Sequence, residues 1–488
     1  MSYQVPQHID PNKVFLINHS ELEGRLDSMF YTHQFSDIIV ALKKCSLYKR
    51  LGQIAHFSSE SWNQRDYYEK HFPYIEIGAI NITDGKIEDV NIVPIEQAPS
   101  RAKMIVRTND ILISTTRPNR GAIVKITEKE NLYIASTGFA VIRDIDDSVN
   151  RDYLLTVLRL DFTLKQMLQR STGGNYPAIT DDELSKIIIP IPPIGVQNKI
   201  VSLIESAHKR KQNADFMADS LLQSIDDYLL GELGIERPSP TRTENGRFFY
   251  TSYKEVIGRR LDPLAYSGKA KEIKQSIGNG KYPCTTLKSL IIQESAGDWG
   301  IDVVNDFDEH IYSKCLVLRS TEFNLYHNIV IDSTKAKYRL ISNKKLDSID
   351  LQPNDLIIEK SGGSENQPVG RIAIITKDLY ERDRLCYSNF VQKIRLDNSQ
   401  VIPTYACFFL RLVHNMRLTE TMQSQTNGIR NLILSEYYNQ QIPIPPIEKQ
   451  KEIIYHIGTL YNRAKQLQHE ATTILSDAKQ EIEQMILG

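Results

Sequence analysis

The sequence predicts an α+β protein that is one unit written twice, a tandem pseudo-two-fold repeat. Each copy has a body of mixed and antiparallel β-structure with helices, and each body is closed by a long helix. The two helices are expected to pair as an antiparallel coiled coil. Three observations carry this. A proline block, Ile189-Pro-Ile-Pro-Pro-Ile194-Gly-Val-Gln197, returns as Ile442-Pro-Ile-Pro-Pro-Ile447-Glu-Lys-Gln450, 253 residues later. Other blocks recur in the same order at an offset that grows along the chain, as two copies with unequal loops require. A heptad-like stripe follows each proline block.

The upstream blocks are short but ordered. Gly24-Arg25-Leu26-Asp27 with Tyr31 pairs with Arg259-Arg260-Leu261-Asp262 and Tyr266 at an offset of 235, and Leu51 pairs with Leu287 at 236. Asn109-Asp110-Ile111-Leu112-Ile113 pairs with Asn354-Asp355-Leu356-Ile357-Ile358 at 245, and Phe139 pairs with Phe390 at 251. The boundaries that follow are a first body over 1–193, a helix over 194–236, a linker over 237–247, a second body over 248–446 and a helix over 447–488.

Within the bodies, short β-branched runs of alternating character read as strands. They are 74–80, 110–114, 122–126 and 139–142 in the first copy, and 315–318, 355–359, 370–375 and 390–394 in the second. A single helical stretch is expected over Tyr153–Gln169 and over Tyr405–Gln423. The proline pairs suit helix entries, because proline lacks only an amide that a first turn leaves unused. The stripe of the first helix runs through Ile200, Ile204, Ala207, Ala214, Leu221 and Ile225. That of the second runs through Ile453, Ile457, Leu460, Leu467 and Ile474.

Composition bounds the function. A chain of 488 residues predicts two to four domains. With 41% hydrophobic and 24% charged residues it is an ordinary globular composition, not a collagen-like or largely disordered one. No run approaches 18 apolar residues, and Met1–Asn12 is polar with two prolines, so neither a membrane span nor a secretory signal is expected. Five scattered cysteines without a CxxC pair point to a reducing, cytoplasmic compartment. The 59 basic and 60 acidic residues leave a net charge of −1. Any nucleic-acid role therefore rests on local patches or on partners that bring charge.

No catalytic constellation is legible: GxGxxG, Walker A, HExxH and GxSxG are all missing. Asp355, Glu359 and Lys360 faintly resemble a nuclease metal site, but the first copy has Asp110, Ser114 and Thr115 there. No metal and no cofactor is expected in this chain. What recurs instead is a pair of polar loops in each copy. In the first copy they carry Arg117, Asn119 and Arg120, then Ser171, Thr172, Asn175 and Tyr176. In the second they carry Lys360, Ser361, Ser364, Asn366 and Arg371, then Gln425, Asn427, Arg430 and Asn431. Such side chains read base edges and hold phosphates, although any one loop alone reads better as an ordinary turn.

The two proline blocks, each opening a heptad helix, resemble the specificity (S) subunits of type I restriction–modification systems, and the Asn-Asp-Ile-Leu-Ile strand agrees. The resemblance covers the chain from about Val14 onward. It implies two target recognition domains that each read one half of a bipartite, asymmetric DNA site, with the helices setting the gap. It also implies no catalysis in this chain. Two methyltransferase subunits would dock on it, supplying S-adenosylmethionine, and restriction subunits using ATP and Mg would join where present. Gly195-Val196 against Glu448-Lys449 departs from strict repetition, so the two partner contacts are expected to differ. Three alternatives stay open on sequence: a specificity partner of a fused nuclease-methyltransferase, a metal-dependent nuclease at Asp355 and Glu359, and a scaffold without DNA.

Overall fold

A computed structural model describes residues 10, 14–17, 19, 22–45, 47–63, 70–237, 251–257, 266, 268–324, 328–364, 366–426 and 428–488. They form two compact units, Met1–Phe216 with Leu467–Gly488, and Met217–Gln466. Each unit thus takes a share of both long helices. The expected entry block Arg259–Asp262, most of the linker (238–247) and Asn427 lie outside the described residues.

In the first unit, one antiparallel sheet is ordered Ala55–Phe57, Phe139–Ile145, Ile111–Ser114, Ile123–Lys125. A second sheet is ordered Asn91–Pro94, His71–Ile75, Ile134–Ser136, Ala102–Ile105, with one parallel pair. The second unit repeats the first sheet as Ile291–Ala296, Val391–Leu396, Leu356–Glu359, Ile372–Ile374. Its other sheet, Tyr338–Ser342, Tyr312–Leu318, Leu385–Tyr387, again has one parallel pair.

The Asn-Asp strand entry has the same physical basis in both copies. Asn109 and Asn354 adopt φ of 73° and 72°, a left-handed conformation that asparagine tolerates better than most residues. Each following aspartate then accepts a backbone amide, from Arg107 and from Gln352, both at 2.8 Å. Each also takes an arginine from the neighbouring strand: Arg143 on Asp110 at 2.9 Å and Arg395 on Asp355 at 2.7 Å.

Register corrects one correspondence read from sequence. Ser114 pairs with Phe139, whereas its counterpart Glu359 pairs with Val391. Phe139 therefore matches Val391, not Phe390. A slip of one residue reverses the face of a strand position, and Phe139 is 3% exposed while Phe390 is 52% exposed.

The helical stretches are also less simple than expected. The first is two helices, Arg151–Leu158 and Asp161–Arg170. Between them Leu160 is extended (ψ 154°) and fully buried, and Arg159 donates to the carbonyls of Ile82, Thr83 and Asp84. The second is a helix over Pro403–Asn415 and a 3-10 turn over Leu418–Met422.

The proline block docks each long helix onto its body through one glutamine. Gln197 accepts from the Asn150 amide at 2.8 Å and donates to the carbonyls of Ser148 and Pro192. Gln450 accepts from the Ile402 amide at 2.8 Å and donates to those of Gln400 and Pro445. The hydroxyls of Tyr153 and Tyr405 donate to the carbonyls of Pro190 and Pro443 at 2.8 and 2.9 Å. The strand before the prolines pairs with Tyr48–Arg50 in one copy and Cys284–Thr286 in the other.

The long helices span Ile194–Leu233 and Ile447–Leu487. In the first unit Ile200, Ile204 and Ala207 share a core with Leu475, Ala478 and Ile482. In the second, Tyr228 stacks on His456 with ring centroids 4.1 Å apart, and Glu232 pairs with Lys449 at 2.6 Å. Both pairings run antiparallel. The buried stripe departs from the expected one at Leu221, Ile474 and Leu460. After Ala218 and Ala471 it passes through Leu222 and Leu475, leaving Leu221 and Ile474 half-buried, and goes on to Ile225 and Leu229, and to Ala478 and Ile482. Leu460 is also only half-buried. One step of four replaces a step of three, so the stripe keeps close to the 3.6-residue period of a straight helix rather than a strict heptad. Gly234 closes the first helix at φ 62°, with the Ile235 amide returning to Leu230 at 2.9 Å.

Candidate nucleic-acid interface

The two loops singled out in each copy are brought together in each unit. In the first, the loop after Ile111–Ser114 places Arg117 at φ 48° and buries Pro118. The Arg117 amide donates to Pro177 at 2.7 Å, and its guanidinium donates to the Asn175 carbonyl at 3.0 and 3.3 Å. The same guanidinium lies 4.1 Å over the Tyr176 ring, which is 68% exposed. Single bridges link Thr116 and Thr172 to Ala178. Arg117 and Tyr176 thus form one cationic, aromatic plate at the surface, a group suited to a phosphate or to the face of a base. Thr172, Asn175 and Arg120 are exposed beside it. Asn119 is half-buried, and its Oδ1 is buried without a hydrogen-bond partner. Ser171 instead donates its hydroxyl to Met167 at 2.7 Å, finishing the helix before it.

In the second unit the corresponding loops form a small sheet of their own. Ser361–Gly362 pairs with Ile429–Leu432, which forms a hairpin with Gln423–Thr426. The Ser361 hydroxyl donates to Asn431 Oδ1 at 2.6 Å, so these two residues brace the sheet. Gln425 is exposed on the hairpin, and Arg430 is half-buried. Lys360 is half-buried, with its amide on the Phe390 carbonyl at 2.7 Å. Ser364 and Asn366 are exposed on the turn, where the Asn366 carbonyl accepts from Arg417 at 3.1 Å.

Arg371 is placed differently from the surface role read into it. It is buried and bonds both oxygens of Glu359 at 2.9 Å, with further bonds to the carbonyls of Phe323 and Ser320 at 3.0 and 2.9 Å. These four bonds turn the guanidinium to the interior. The same pair removes the nuclease-like site, since Glu359 is held by Arg371 while Asp355 is held by Arg395 and lies 3.6 Å from Lys393. Among the described residues no cluster of histidine, cysteine, aspartate or glutamate could hold a metal ion. Nor is any helix among them long and apolar enough to cross a membrane.

Sequence reasoning missed Phe390. It is an exposed aromatic on the backbone that supports Lys360 and Ser361, and aligning it with buried Phe139 hid it. The adjoining Ser388, whose buried hydroxyl has no partner, carries no sequence signal of its own.

Comparison with known proteins bears on the family and the fold. The family model described as the type I restriction modification DNA specificity domain matches residues 47–213 and again 309–475. The specificity subunit of the type I restriction enzyme HindI from Haemophilus influenzae is 29% identical over 126 residues, which is 25% of this chain. The matched stretch spans only 28% of that relative's length. A chain solved in work on complex assembly and conformational transition of the type I restriction–modification system is 20% identical. It superposes at a TM-score of 0.51 over 90% of this chain and 96% of that one, a likeness of fold. The HsdS subunit from Thermoanaerobacter tengcongensis is 19% identical, at a TM-score of 0.40 over 91% of this chain and 96% of its own. Matched twice, over more than half of its length, the chain belongs to the type I restriction modification DNA specificity domain family and carries two copies of that domain in tandem.

Proposed function

We propose that this chain is the non-catalytic DNA-recognition subunit of a type I restriction–modification complex. Each unit reads one half of a bipartite site. The observation that carries the reading is the repeated meeting of two polar loops, at corresponding places, in two units built on the same four-stranded sheet. A shared scaffold with unlike loop chemistry supports two unlike half-sites: an Arg117–Tyr176 plate in one unit, a polar hairpin in the other. The site as a whole is then asymmetric. The long helices set the gap between the halves, and their outward faces dock two methyltransferase subunits. Those partners supply S-adenosylmethionine, and restriction subunits, where present, bring ATP and Mg. Near-neutral charge suits a reader whose partners also enclose the DNA.

The experiment is a genome-wide map of methylated bases in cells with and without the gene. Loss of methylation at one bipartite, asymmetric motif is the expected result. If methylation is unchanged while purified complexes also show no sequence-selective binding, the reading fails and a scaffold without DNA replaces it.

A further inference from the structure

The two units complete one corresponding place in opposite ways. In the second, Arg411 is 3% exposed, and its guanidinium bonds Asp226 of the first long helix at 3.1 Å. Asn415 donates to the other oxygen of Asp226 at 2.8 Å, and the ring of Tyr461 lies 5.5 Å from the guanidinium. The correspondence between copies carries Arg411 to Arg159, Tyr461 to His208 and Asp226 to Lys479, at offsets of 252 or 253. A lysine thus stands in the first unit where the second has the carboxylate that neutralises its buried arginine.

Among the described residues no carboxylate bonds the arginine of the first unit in its place. Arg159 is 8% exposed and bonds only neutral backbone carbonyls, and its buried Nε has no partner. Lys479 and His208 make no hydrogen bond or ion pair among the described residues. Of the nearby acids, Asp152 bonds Lys125, Glu483, one turn from Lys479, accepts from the Asp161 amide at 2.7 Å, Asp84 pairs with Lys86 at 3.9 Å, and the exposed Glu205 makes no ion pair with the three cations. Arg159, His208 and Lys479 instead line a cavity of about 120 Å³, together with Asp152 and the outer residue Glu205. Burial, with the charge of Arg159 added, pushes the Lys479 ammonium down to about 8 and the His208 imidazole below its ordinary value. Burial thus outweighs the attraction of Glu483 and Asp84, neither of which bonds these cations directly.

We propose that this cavity of the first unit binds a small phosphate-type oxyanion, which neutralises Arg159 as Asp226 neutralises Arg411 in the second. The replacement of aspartate by lysine adds positive charge beyond what one carboxylate neutralises, and this favours a multiply charged, multi-acceptor ligand. The inference stands independently of DNA recognition.

Equilibrium dialysis of the full chain with labelled inorganic phosphate, against chloride at matched ionic strength, tests it. Saturable binding to one site is expected. Lys479→Asp rebuilds the pairing of the second unit, so it should weaken binding at least tenfold and raise the melting temperature measured without phosphate. Should that variant fail to fold, Lys479→Met removes the charge and is read in the same assay. A parallel titration with AMP separates the sources, since tighter binding than phosphate indicates a nucleotide's phosphate and weaker binding a free ion. Absence of saturable phosphate binding by the natural chain, or a Lys479→Asp protein that binds phosphate as tightly, overturns the proposal.

Discussion

At the scale of single residues, the same side-chain type serves the surface in one place and the interior in another. Arg117 lies over an exposed tyrosine, whereas Arg371 is locked to Glu359. Arg117→Ala should cost about 1–3 kcal/mol in binding one half-site and leave the other intact. Binding assays on duplexes altered in either half check this, and equal loss at both halves would count against modular reading. Arg371→Ala strands a buried carboxylate and should destabilise the second unit by about 3–5 kcal/mol. Denaturant unfolding measures that loss, and normal stability with relaxed base preference would restore Arg371 to the DNA surface. Lys479 gives a pH prediction. Its folded value of about 8 lies below the unfolded lysine value. The penalty of its buried charge is therefore present below pH 8 and is relieved as pH rises from 8 toward the unfolded value. Arg159, His208, Asp84, Lys86, Asp152, Glu205 and Glu483 surround this position, so the effect is read as the difference from Lys479→Met. Over that pH range the natural protein should gain stability relative to the variant.

At the scale of elements, the proline block explains itself through its last residue. Gln197 and Gln450 are buried, and each ties a helix start to the loop that precedes its body's final helices. Gln197→Ala or Gln450→Ala should cost about 1–3 kcal/mol, the penalty for leaving buried amide and carbonyl groups unpaired. The long helices offer a sharper check of register. Leu475→Ala should cost about 2–5 kcal/mol and Ile474→Ala clearly less, since the stripe passes through Leu475. The heptad pattern read from sequence requires the reverse order. The period was legible because alanine, leucine and isoleucine recur along each helix. The one-residue step was not, because Leu221-Leu222 and Ile474-Leu475 are adjacent apolar pairs and composition cannot choose between them.

At the scale of the whole molecule, a spacer that stays near a 3.6-residue period accepts eleven residues, or three turns, without rotating its buried stripe. Insertion of eleven residues at matching points of both long helices should lengthen the preferred gap and keep both half-site sequences. The added rise of about 16 Å sets an upper limit of about 5 base pairs. Methylation mapping of a strain carrying the insertion reads the gap directly, and an unchanged gap would defeat the helices as spacers.

The duplication, the strand-rich bodies, the helix entries and the paired polar loops were legible in the amino-acid sequence. Those features are written in local pattern: proline at a helix start, asparagine before an aspartate, apolar residues at helical spacing. The tertiary structure alone decided which partner each charged side chain takes. Glu359 faces Arg371 and Asp355 faces Arg395 because strand register brings them together. It also decided that Phe139 matches Val391 and that Asp226 reaches Arg411 while Arg159 bonds only backbone carbonyls. Such pairings join residues distant in the chain, and their energy depends on burial, which no local pattern records.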